Sequence, residues 1–132
     1  MEKLIIIRGP SGAGKTSVAK AIKDRSDRPT LLIEQDQFRR NFNDQGPKAN
    51  VPVWEMIEGN TIIGLEHGFD VVLESILNIQ KPGRREVFER IFQAHPEQNY
   101  IFYFNTTFEE TLRRHNSRPQ KNEFGEKEMR EW

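Results

Sequence analysis

Four short apolar blocks recur along the chain, each followed by a longer stretch in which apolar residues return at helical spacing. The blocks are Leu4-Ile5-Ile6-Ile7, Thr30-Leu31-Leu32-Ile33, Val71-Val72-Leu73 and Tyr100-Ile101-Phe102-Tyr103-Phe104. Their unbroken apolar character predicts strands buried on both faces, the mark of a parallel sheet covered by helices. Residues 15–23 place Val18, Ala19 and Ile22 on one helical stripe, and Val53, Met56, Ile57, Ile63 and His67 form another that Gly68 stops. Residues 84–95 repeat the pattern with Val87, Phe88, Ile91 and Phe92 before Pro96, and 107–118 with Phe108 and Leu112 before Pro119. Strand then helix, four times over, predicts an α/β domain with a parallel sheet of about four strands. Residues 41–52, with two prolines, a glycine and three asparagines, are expected to be one long irregular working loop.

A length of 132 residues predicts one domain, 1–132, and 20 basic against 20 acidic residues set the formal net charge at zero. That balance removes the field that draws duplex DNA or anionic membrane to a protein. The absence of cysteine excludes disulfides, thiolate metal sites and cysteine nucleophiles, and agrees with a reducing compartment; a cytoplasmic protein is expected. No apolar run approaches the length needed to span a bilayer or build a signal peptide.

The candidate chemistry begins directly after the first strand. Gly9-Pro10-Ser11-Gly12-Ala13-Gly14-Lys15-Thr16 satisfies the pattern glycine, any four residues, Gly-Lys-Ser/Thr, and opens the first helix. A triphosphate needs several backbone N–H donors converging from one loop, and glycines let the backbone approach it. Lys15 can reach the β- and γ-phosphates, the Thr16 hydroxyl can ligate Mg²⁺, and the helix start, with Ser17, adds N–H groups and partial positive charge. ATP and Mg²⁺ are therefore the expected cofactors.

Asp36 lies just past the second strand, followed by Arg39 and Arg40. In a parallel sheet, ligands gather at the carboxyl ends of the strands. There Asp36 can take the proton of an attacking hydroxyl and an arginine can hold the acceptor, or the group is a helix cap with solvated arginines. Glu74 ends the third strand, with Ser75 and Asn78 close behind; its carboxylate can serve Mg²⁺ or orient the acceptor, or simply reach water. Arg114 and Arg118 stand four apart, with Arg113 beside them, so a helix face can aim two guanidiniums at a phosphate, although charge there also suits the helix dipole. His67, His95 and His115 have no metal-ligand spacing, and helix capping accounts for the first two.

Together the phosphate loop, the Asp36-Gln-Phe-Arg39 element and the arginine-rich 110–118 segment resemble the small P-loop kinases, among them phage-type polynucleotide 5′-hydroxyl kinases, zeta-toxin-like kinases and chloramphenicol phosphotransferase-like enzymes. The resemblance implies a three-layer P-loop NTPase fold and an ATP-dependent phosphotransferase. It implies Asp36 as general base, Arg39 at the acceptor, and Arg114 and Arg118 on the transferring phosphates, in a lid near 113–128. It also implies a fifth strand and a helix beyond the lid, which this chain is expected to lack. The zero net charge favours a small hydroxyl-bearing acceptor; a polynucleotide 5′-hydroxyl, with nucleic acid present only as substrate, and a non-catalytic ATP-binding module remain alternatives.

Overall fold

The computed structural model describes residues 1–10, 14–43, 46–76 and 83–104. Four strands, β1 (Leu4–Arg8), β2 (Thr30–Glu34), β3 (Asp70–Ser75) and β4 (Asn99–Tyr103), form one sheet in the order β2-β3-β1-β4, and every pairing is parallel. The helices α1 (Lys15–Arg25), α2 (Gln35–Arg40), α3 (Asn50–Glu66) and α4 (Arg84–Ala94) connect them. The expected helix at 107–118 and lid at 113–128 lie outside the described residues.

The strand order decides which helix covers which face. From β1 to β2 the chain moves toward one edge, and from β2 through β3 to β4 it moves toward the other. Right-handed crossovers then put α1 on one face and α3 with α4 on the opposite face. The core divides accordingly. Ile7, Val72 and Ala19 pack together with Ile5, Ile22 and Leu32 on the α1 side. Leu4, Ile6, Ile33, Val71 and Leu73 pack under Val53, Trp54 and Ile57 of α3 and Val87, Phe88 and Ile91 of α4. Alternation along β3 therefore gives Glu74 to the α1 face and Ser75 to the α3–α4 face.

Several expectations change. The fourth strand is not buried on both faces: it forms the edge of the described sheet, and Tyr100, Ile101, Phe102 and Tyr103 are all exposed. A continuous apolar run does not distinguish an edge strand from a central one, because apolarity is a property of the residues and burial one of their neighbours. The 41–52 segment is more regular than expected: a 3₁₀ turn at Pro47–Ala49 runs into α3, whose first turn accepts Pro52, where its missing N–H costs nothing. On α3 the buried line runs through Val53, Ile57, Thr61, Gly64 and Leu65, leaving Ile63 exposed, and on α1 Ala19 is buried while Val18 is exposed.

Candidate nucleotide site at the carboxyl rim

Adjacent strands β1 and β3 send their chains to opposite faces of the sheet, which opens a crevice at their carboxyl ends. Gly9 and Pro10, and Gly14 to Thr16 at the start of α1, lie at that crevice. Gly9 has φ +151°, and a Cβ there would stand 3.0 Å from both Cβ and the carbonyl oxygen of Phe104, so only glycine lets the loop leave β1 past the end of β4. Gly14, in the left-handed conformation, caps α1 with no side-chain hydrogen bond, and no acidic residue lies in the first turn. The first N–H groups of α1 and its positive dipole end are thus left for an anion.

Lys15 is buried, with 4% of its surface exposed, which is unusual for a lysine. Its Nζ donates to the Pro10 carbonyl at 2.9 Å and stands 4.0 Å from Glu74 Oε1. Glu74 is equally withdrawn from solvent and takes a hydrogen bond from Thr16. Burial pushes the Glu74 carboxyl above the ordinary glutamate range; Lys15 and the Thr16 hydroxyl pull it back, while the Glu34 and Asp36 carboxylates reinforce the rise. Glu34 and Glu74 are direct register partners across β2 and β3, which explains the repulsion. The strand-end glutamate expected to need partners has them, and they are the lysine and the hydroxyl of the phosphate loop.

Asp36 stands in the first turn of α2, on the same rim, and is exposed. Its Oδ2 pairs with Arg40 Nη2 at 3.0 Å, one helical turn away. Arg39 turns elsewhere: its Nη2 donates to the Gly46 carbonyl at 2.6 Å and ties the connection before α3 onto α2. Arg39 and Arg40 thus have distinct tasks. Ser17 is exposed on α1. Ser11, Gly12, Ala13, Asn78, Arg114 and Arg118 lie outside the described residues.

Sequence reading passed over Gln35, whose Oε1 accepts a hydrogen bond from the Ile76 N–H at 3.0 Å and pins α2 to the end of β3. No motif marks such a residue; only the register of β2 beside β3 reveals it. His95, assigned to helix capping, closes α4 by bonding Asn99 Oδ1 at 2.9 Å and the Glu2 carbonyl at 3.0 Å, at the rim opposite the phosphate loop. Among the described residues no group of three or more His, Cys, Asp or Glu is arranged to hold a metal. The Thr16 hydroxyl and Glu74 carboxylate are nevertheless hard oxygen donors, and Mg²⁺ beside a nucleotide takes only one or two protein groups, the rest being phosphate and water. The residues present fit that ion.

The AAA_33 family model, an AAA domain, matches residues 4–132. The chain belongs to the AAA_33 family. Among solved structures, this AAA_33 domain is similar to a chain of the Pnkp1/Rnl/Hen1 RNA repair complex, with 17% identity, a TM-score of 0.74 and 98% of the present chain covered. It spans only 42% of that chain's length. It is also similar to the Mycobacterium tuberculosis APS kinase CysC in complex with AMPPNP and APS, at 16% identity, TM-score 0.68, and 92% and 71% coverage of the two chains. A gluconokinase from Sinorhizobium meliloti 1021 superposes with TM-score 0.60 at 19% identity, covering 87% of this chain and 65% of that one. Identities this low establish a shared fold, that of the P-loop kinases, for the AAA_33 domain. A comparison with curated proteins gives no match. No helix among the described residues is long and apolar enough to cross a membrane.

Proposed function

We propose that this AAA_33 domain is an ATP-dependent kinase that transfers the γ-phosphoryl group of ATP to a hydroxyl acceptor, with a small molecule as the favoured acceptor. The observation that carries this reading is the burial of Lys15 at the mouth of a glycine loop, its ammonium held by the Pro10 carbonyl and Glu74. A lysine buried there and bonded to a carbonyl can exchange that contact for a phosphate, which gives a stronger charge-assisted bond.

Each residue then has a task. Lys15 and the first N–H groups of α1 bind and orient the β- and γ-phosphates. Thr16 and Glu74 would hold Mg²⁺, which when bound neutralises charge on those phosphates and keeps the γ-group in line. Asp36 takes the proton of the acceptor hydroxyl; one oxygen stays with Arg40 while the carboxylate retains other lone pairs for the proton. Arg39 shapes the acceptor side by holding the Gly46 carbonyl. Arg114 and Arg118 are assigned to the transferring phosphates, with Asn78 at the acceptor.

A polynucleotide 5′-hydroxyl acceptor is the second reading, favoured by the likeness to a chain from an RNA repair complex. A screen with radiolabelled ATP over nucleosides, 5′-hydroxyl oligonucleotides, sugars and aminoglycoside or phenicol antibiotics tests both. Label transferred to a small acceptor supports the proposal, and label on oligonucleotides with a steep loss at physiological salt supports the second reading. Saturable ATP binding with no transfer to any acceptor would show a non-catalytic nucleotide module instead.

A further inference from the structure

The acceptor side of the same rim holds positive charge and hydrogen-bonding capacity that the nucleotide does not use. Arg84 is the first residue of α4, directly after Gly83. Its guanidinium lies over the ring of Trp54, 5.3 Å from the centroid, and Trp54 is itself fixed edge-on to Phe88. Arg84 is half-buried, and among the described residues no carboxylate or carbonyl partners it. Partial burial accordingly lowers its pKa, with no opposing charge to raise it. A cation set on an aromatic face at the start of a helix, against the helix dipole, is energetically out of place unless an anion joins it.

Two further groups lie on the same sheet face at that rim. Ser75, at the end of β3 on the face covered by α3 and α4, is 1% exposed, and among the described residues its hydroxyl has no hydrogen-bond partner. A buried hydroxyl left unpaired is costly, and a ligand oxygen removes that cost. Arg8 is the register partner of Ser75 across β1 and β3, and its guanidinium sits over the Tyr103 ring at 5.4 Å. The crossover from β3 to β4 carries α4 over β1, so Arg8, Ser75 and Arg84 share one sheet face at the carboxyl rim, the face on which α2 presents Phe38 to the core. Glu74 and Lys15 belong to the other face.

We propose that Arg8, Ser75 and Arg84 form a subsite for a tetrahedral oxyanion, a phosphate or sulfate group, carried by the acceptor. The two guanidiniums supply charge and forked N–H donors, and the Ser75 hydroxyl adds one more bond. The inference rests on the kinase reading for the word acceptor, but not for the anion site itself.

The experiment is an NMR titration of the full chain with arginine side chains labelled, ADP present to fill the phosphate loop, and inorganic phosphate or sulfate as probe. The Arg84 and Arg8 Nε–H signals should move saturably with either anion. Arg84→Gln should abolish the response at Arg8, and Ser75→Ala should weaken anion affinity roughly tenfold without lowering Tm. ADP affinity should stay within about twofold in both variants. Arginine signals that stay still in the wild type, or an Arg8 response unchanged in Arg84→Gln, would overturn the subsite. Failure of ADP to bind would instead remove the kinase reading, while the Arg84 response to anion would still decide the subsite.

Discussion

Lys15 Nζ stands 4.0 Å from Glu74 Oε1, and both residues are buried. One belongs to the phosphate loop and the other to the end of β3, so the contact joins the two strands that diverge at the crevice. Losing Lys15 removes the cation that offsets the buried Glu74 carboxylate. We expect Lys15→Met to destabilise the protein by about 3–5 kcal/mol, and the double variant Lys15→Met, Glu74→Gln to recover most of that loss. Denaturant unfolding of the two single variants and the double variant checks the coupling; additive effects would show that the pair does not interact.

Glu74 also makes stability depend on pH. Its folded-state pKa is raised above 4.5, chiefly by burial, so the folded state holds a proton that the unfolded chain has released. Its stabilising contribution is complete below the unfolded value and is lost as pH rises through the folded one. With metal chelated, the Tm of Glu74→Gln relative to wild type should therefore climb from about pH 4.5 upward and then level. A Tm difference that is flat across this range would contradict a raised carboxyl.

Asp36 is exposed and its pair with Arg40 lies on one helix, a type of contact worth at most about 1 kcal/mol. Asp36→Asn should therefore leave Tm and ATP affinity almost unchanged. Phosphoryl transfer to whichever acceptor the screen identifies should fall roughly 10²–10⁴-fold, the usual contribution of a positioned base. Steady-state kinetics separates the outcomes: turnover equal to wild type removes Asp36 from the mechanism.

Gly9 offers a purely steric test. An alanine there would carry a Cβ 3.0 Å from Phe104 backbone and side-chain atoms at φ +151°. Gly9→Ala should cost about 1–3 kcal/mol and displace the loop, so that nucleotide affinity falls together with Tm. Retained affinity in a destabilised variant would show that the loop tolerates the shift.

Much of this was legible in the residues. The alternation of apolar blocks with helical stripes announced a parallel sheet, and the Gly9 to Thr16 spacing announced a turn from β1 into α1, because both are local patterns. Glu74 was legible too, since an acid ending an apolar strand demands partners. What could not be read depends on neighbours brought from elsewhere in the chain. The edge position of β4, the exposure of Ile63, the Gln35 bond to Ile76 and the stacking of Arg84 on Trp54 all arise from strand order and crossover handedness. The start of α3 was hidden because prolines read as loop, although the first turn of a helix accepts them.

Calorimetric titration of MgATP into the wild type and Lys15→Met tests the central claim most directly. The account predicts saturable one-site binding by the wild type, and an affinity at least tenfold weaker in the variant under conditions where it remains folded. Equal affinity in the two proteins, or no binding by the wild type, would contradict a nucleotide site built around Lys15.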